Sequence, residues 1–183
     1  MSTPAVQEHE KEHDALHKLR HSLAHILAEA VREVRPKAKL AFGPPIDTGF
    51  YYDFDFGDAP VGEADLEDIE NRMRAIIKKK EPFEQTEMTL DEAITFLEDE
   101  GEDYKVEYAK ELAETGKARD GKLSFYRSGN FVDMCEGRTW RTPARCRKAA
   151  SSWTAFPAAT GAATKTGRCS PASTAWHSRT RRR

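Results

Sequence analysis

The stretch DALHKLRHSLAHILAEAVREVRP, residues 14–36, decides how the chain is read. Leu16, Leu19, Leu23, Ile26, Leu27, Val31 and Val34 recur at intervals of three and four. That is the period of one helix face, so the segment predicts an amphipathic α-helix stopped by Pro36. On the same wheel His21 and His25 fall about 40° apart, while Leu23 and Leu27 lie roughly 200° and 240° from His21. The imidazoles therefore point away from the apolar stripe. Two His at i and i+4 can hold one water or one metal ion. A solvated polar face also explains them, because His9, His13, His17, His21 and His25 recur every four residues.

Outward from this helix, LAFGPPIDTGFYYDFDF (40–56) has turn chemistry at Gly43-Pro44-Pro45 and Asp47-Thr48-Gly49. Phe50, Tyr52, Phe54 and Phe56 then alternate with Tyr51, Asp53 and Asp55, as in a half-buried strand. The Gly-Pro turn is a place where backbone can approach a ligand closely. Residues 63–80 predict a second helix with acids at its start and Lys78, Lys79 and Lys80 at its end, which suits the helix dipole. A short strand is expected over 82–87. Thr89-Leu90-Asp91-Glu92 has the capping-box pattern and opens a third helix ending near Gly101. A fourth follows over about 102–114. Lys122–Tyr126 and Asn130–Cys135 read as two strands joined at Ser128-Gly129.

The second strand ends in Val132-Asp133-Met134-Cys135. Strand alternation puts Asp133 and Cys135 on one face and Met134 on the other. An Asp and a Cys within reach of a His pair would make a hydrolytic or metal site. An ordinary buried Cys is the plainer reading.

Charge divides the chain. Residues 1–137 hold 18 Lys and Arg against all 31 acids, a net of −13, and 138–183 hold 11 Lys and Arg with no acid, a net of +11. All three Trp and two of the three Cys also lie after Gly137. No apolar period persists there, so 138–183 is expected to be a basic disordered tail, and 1–13 a disordered N-terminus. Three Cys make no paired framework, no leader or membrane-length apolar run is present, and the expected location is the cytoplasm.

Four segments in order carry a resemblance: RHSLAHILAEAV (20–31), LAFGPPIDTGFYYDFDF (40–56), EDYKVEY (102–108) and FYRSGNFVDMCEG (125–137). Together they resemble the editing domain of bacterial-type threonyl-tRNA synthetases, which is related to that of alanyl-tRNA synthetases. The resemblance implies an α/β (α+β) fold over 14–137, a sheet with packed helices. It implies hydrolysis of seryl-tRNA made in error on threonine tRNA. Serine is smaller than threonine and keeps the hydroxyl, so a synthetic site rejects it poorly and a second site must clear it. By position, His21, His25, Cys135 and Asp133 match the catalytic residues, and Tyr52 and Lys105 match residues that orient the aminoacyl-adenosine end. The implied partner is the aminoacyl end of tRNA(Thr), with no membrane; the full-length family is homodimeric. In the alanyl relatives a His, His, Cys and His set binds zinc, so His21, His25 and Cys135 are metal candidates. In the threonyl family a metal need not take part. The family uses ATP, but at a catalytic core that this chain does not show.

One departure falls inside the motif. The family continues Cys-x-Gly-Pro-His, whereas this chain reads CEGRT and puts Thr139 at the place of the fourth site residue. Back-translation offers a reason. Arg138-Thr139-Trp140, shifted by one base, permits Pro-His-Val. The same shift over 160–178 permits YWRGDEDRPMLTRIYGLAF, which looks like the family sequence beyond the editing motif. The expectation is a one-base loss near the Gly137 and Arg138 codons, giving a truncated synthetase with an out-of-frame tail, weak or inactive in editing. The alternative is a non-catalytic tRNA-binding module with a basic tail.

Overall fold

The computed structural model describes residues 4–43, 45–46, 49–59, 61–115, 120–135 and 176–177. The first helix, α1, runs Pro4–Val34. It begins ten residues ahead of the apolar stripe, because the early residues are mostly good helix formers behind a proline suited to the first turn. The expected 1–13 disorder is thus replaced by helix from Pro4 onward. Short strands follow: β1 (Lys39–Leu40), β2 (Pro45–Ile46), β3 (Gly49–Phe50) and β4 (Phe54–Asp55). Strand β1 pairs antiparallel with β4, and β2 with β3. The aromatic alternation survives as burial and not as one long strand: Phe50, Tyr52 and Phe54 are buried, and Phe56 packs on the same cluster half-buried.

Helix α2 spans Glu63–Lys79 and buries Ile69, Met73, Ile76 and Ile77. Its Asp65 accepts the Gly62 N–H at 2.9 Å, and Lys80 closes it in the left-handed conformation. Strand β5 (Glu84–Thr89) leads directly into α3 (Leu90–Asp99). The capping box forms as the sequence predicts, with Thr89 N–H donating to Glu92 Oε2 at 2.9 Å and Glu92 N–H reaching Thr89 Oγ1 at 3.4 Å. Helix α4 spans Asp103–Glu114.

Strands β6 (Lys122–Ser128) and β7 (Phe131–Met134) form a hairpin, and β5, β6 and β7 make one antiparallel sheet in that order. The turn is Gly129-Asn130, one residue beyond the expected position, with Ser128 opposite Phe131. Gly129 has φ +57, which a two-residue turn of this hand requires at its first central position. The last described strand, β8 (Trp176–His177), pairs with β3. The rest of the expected 138–183 tail lies outside the described residues.

The β5–β6–β7 sheet separates two apolar clusters. On β6, Phe125 belongs to the cluster with α3 and α4, and its neighbour Tyr126 to the cluster with α1 and α2. The same alternation continues along β7. Val132 and Met134 face the α3–α4 cluster, while Phe131 and Cys135 pack towards the α1 cluster. Asp133 shares their face, so it is carried into the α1 side of the sheet.

Candidate functional site

Helix α1 is buried without interruption from His21 to Val31. Its apolar residues meet α2 and the β1–β4 strands, and its other face meets β7. Four helical residues rise about 6 Å, and two strand residues about 6.7 Å, so the two elements keep step. The polar period of four on α1 therefore meets the polar period of two on β7. His21 Nε2 lies 2.8 Å from Cys135 Sγ. One turn on, His25 Nδ1 lies 2.7 Å from Asp133 Oδ2. The His21 and His25 rings stack at 4.9 Å between centroids. The solvated-face alternative holds only for the first part of the helix: His13 and His17 are exposed, and His21 and His25 are buried.

Asp133 is 1% exposed and is the hub of the cluster. Besides His25 it accepts from Lys105 Nζ at 2.6 Å and from the Tyr52 hydroxyl at 3.0 and 3.1 Å. Lys105 is as buried as Asp133. All six sequence-predicted residues, His21, His25, Cys135, Asp133, Tyr52 and Lys105, thus come together. Thr139, at the place of the fourth site residue, lies outside the described residues.

Protonation follows from the packing. Burial alone would lower the His25 imidazole, but the Asp133 carboxylate and its hydrogen bond outweigh it and hold the ring up at about 10. Burial alone would raise Asp133, yet Lys105 and His25 keep it far below the usual carboxylate range. Burial and the same carboxylate push the Tyr52 phenol well above its ordinary value. At neutral pH Asp133 is therefore an anion held by two cations and a hydroxyl, and His25 is an imidazolium. Both Asp133 oxygens are thus held by donors from three different segments.

One expectation for this region changes. The close approach seen at Gly43 is to the chain itself: a Cβ there would collide with the Tyr52 ring and the Tyr51 carbonyl oxygen. The glycine lets the chain pass behind Tyr52 and sets its hydroxyl on Asp133. Sequence reasoning also missed the walls of the site. Tyr126 and Phe83 stand 5.7 and 6.3 Å from the His25 ring. Glu102, 5% exposed, accepts the Leu40 N–H at 3.1 Å and pairs with Arg32, which fixes the start of α4 and so the root of Lys105. Its backbone carbonyl takes the N–H of Lys105 and of Val106. No local pattern announces these long-range contacts.

His21, His25 and Cys135 offer three ligand atoms within 4.8 Å of one another. Two imidazoles and a thiol suit zinc, and a His whose second nitrogen is held by a carboxylate is the usual arrangement around that metal. The fit has one cost: the Nε2 proton of the His25 imidazolium must leave first, while its Nδ1–H stays on Asp133.

Comparison with known proteins finds relatives of part of the chain. The threonine–tRNA ligase of Nitratidesulfovibrio vulgaris is 47% identical over 110 residues, 60% of this chain and 16% of that protein. Those of Carboxydothermus hydrogenoformans and Acetivibrio thermocellus are each 48% identical over 109 residues, with the same coverage. The matched segment is homologous to part of threonine–tRNA ligases. The chain spans about 16% of the length of these curated relatives. No family model matches it. No described helix is long and apolar enough to cross a membrane.

Proposed function

We propose that the cluster around Asp133 is an aminoacyl-ester hydrolysis site whose substrate is seryl-tRNA(Thr), and that the chain runs this reaction slowly. The observation that carries the reading is the convergence of His25, Tyr52 and Lys105 on the buried Asp133 carboxylate, with the His21–Cys135 pair one helical turn away. Each has a task. Lys105 and Tyr52 neutralise and orient Asp133, and Asp133 keeps His25 protonated. The Nε2–H of His25 is then a fixed donor for the oxygen that becomes negative when water attacks the ester carbonyl. His21, beside the Cys135 thiol, is the group placed to take the proton from that water. The bond to the terminal ribose breaks, the ribose oxygen takes a proton, and serine and free tRNA leave.

Slowness follows from Thr139, which cannot supply the imidazole that the family pattern puts there. We further propose that 138–183 is read out of frame, which accounts for the abrupt loss of acids after Glu136. The net of −13 on 1–137 weighs against a purely electrostatic tRNA-binding module in that part. A second reading, zinc at His21, His25 and Cys135, rests on their three converging ligand atoms; zinc would supply a Lewis acid beside the ester. Deacylation of seryl-tRNA(Thr), with threonyl-tRNA(Thr) as control, tests the main reading. A slow serine-selective rate that His21→Ala removes supports it, and a rate indistinguishable between the chain and His21→Ala sinks it. Stoichiometric zinc that Cys135→Ala releases would favour the second reading.

A further inference from the structure

The four-residue polar period of α1 does not stop at His25. Its next member, Glu29, is 6% exposed, and its Oε2 is buried with no hydrogen-bond partner. Ser128, at the β6 end of the hairpin, is 1% exposed, and its Oγ makes no hydrogen bond of normal length but lies close enough to the Glu29 carboxylate to favour its anion. Buried polar groups without partners are costly and uncommon. Glu29 lines a cavity of about 370 Å³ between α1, the α3–α4 corner and the Gly129-Asn130 turn. That volume suits a small molecule.

The charges around the cavity come from every element that borders it. Helix α1 gives Glu29, Arg32 and Glu33, and the end of α2 and its linker give Lys79 and Glu81. Helix α3 gives Glu100, the α4 start gives Glu102 and Lys105, and the hairpin residues that line it are uncharged. Most of the cations are already engaged: Arg32 with Glu102, and Lys105 with Asp133. Glu33 takes Arg72 from outside the cavity. Lys79 is then the remaining lining cation, and it acts on Glu29. The excess is negative and spread over separate walls. Among the described residues the acids form no group of three compact enough for a metal ion. A dispersed set of acceptors suits an organic ammonium better than a hard cation, which needs its oxygens gathered at about 2–2.6 Å.

We propose that this cavity binds a small ligand by its protonated amine, with the Glu29 carboxylate as the accepting group and Ser128 Oγ beside it. Lys105 belongs to both the cavity and the Asp133 cluster, and Glu29 is one helical turn from His25. The amine can therefore be the α-ammonium of an aminoacyl ester or that of a free aliphatic amine. Only the first source rests on the hydrolytic reading.

The experiment is calorimetry on the full chain with 1,4-diaminobutane and L-serine amide, at pH 6 and pH 7, with N-acetyl-L-serine amide as the control without an ammonium. Burial holds the Glu29 carboxyl up at about 7, with Glu33 and Glu81 adding to the rise and Ser128 and Lys79 opposing it. Its anion therefore grows about fivefold between these pH values, and binding should strengthen by the same factor. Glu29→Gln should weaken binding at least about tenfold and remove the pH dependence, while its circular dichroism stays native. Glu100→Gln should retain that pH dependence. Binding of serine amide assigns the aminoacyl source, and binding of the diamine alone assigns a free amine. Either supports the cavity independently of the seryl-tRNA assay. Failure of both amines to bind at about 10 mM, or equal binding by Glu29→Gln, overturns the proposal.

Discussion

Asp133 and Cys135 sit two residues apart on one face of β7, yet their surroundings are opposite in kind. Asp133 is sealed, and its oxygens are taken by His25, Lys105 and Tyr52. Cys135 is half-buried, touches His21, and stands where the described part of the hairpin ends. One end of the cluster is a closed charge network and the other is its mouth, at the half-buried Cys135. The difference teaches how the fold divides labour. The network fixes Asp133 and His25, and His21 and Cys135 pair with each other beside it.

The sharpest way to break the network is Asp133→Asn. It keeps the shape, leaves Lys105 without its counter-charge in a buried site, and removes the group that holds the second proton on His25. Loss of one partner of such a network costs about 3–5 kcal/mol, to be read by urea denaturation. Lys105→Met should cost less, about 2 kcal/mol, because His25 still balances Asp133. Asp133→Asn should depress the His25 imidazole, whereas Lys105→Met, which removes a competing cation, should leave it raised. Cys135→Ala, at the mouth, should change stability by about 1 kcal/mol or less while it lowers the deacylation rate or zinc retention.

The two titrations differ in sign and sharpen the same contrast. The folded His25 is raised from 6.5 to about 10, so its contribution is fully present below about pH 6.5 and is lost as pH rises through about 10. Nitrogen-edited NMR of the imidazoles should show His25 still protonated at pH 8. Glu29 is raised from 4.5 to about 7, so it costs stability progressively from pH 4.5 to pH 7 and at a constant level above. Glu29→Gln should therefore stabilise the ligand-free chain at pH 8, by on the order of 2 kcal/mol, and leave it unchanged below pH 4.5.

Much of this was legible in the sequence, for reasons that can be named. Local rules carry α2, α3 with its Thr89–Glu92 box, and the β6–β7 hairpin, since each is specified by period, cap or turn within a few residues. The pairing of Asp133 and Cys135 on one face followed from strand alternation alone. What sequence could not give is burial of a polar helix face. The His9-to-His25 period reads as solvated until β7 is laid against it, and only the matched rise of helix and strand turns it into a site. Glu29 continues that period and could have been found by extending it four residues. Glu102, Tyr126 and Phe83 act through contacts distant in sequence and leave no local trace. The resemblance to threonyl-tRNA synthetases supplied Lys105 and Tyr52, which spacing alone would not have joined to Asp133.

The most direct measurement is single-turnover deacylation of seryl-tRNA(Thr) by two proteins: the chain as it stands, and one whose reading after Gly137 is restored by a single base to Pro-His-Val and onward. The account predicts a slow rate for the first, a rate at least about tenfold higher for the second, and loss of both in His21→Ala. Rapid deacylation by the chain with Thr139 in place, or a restored protein that is no faster, would contradict it.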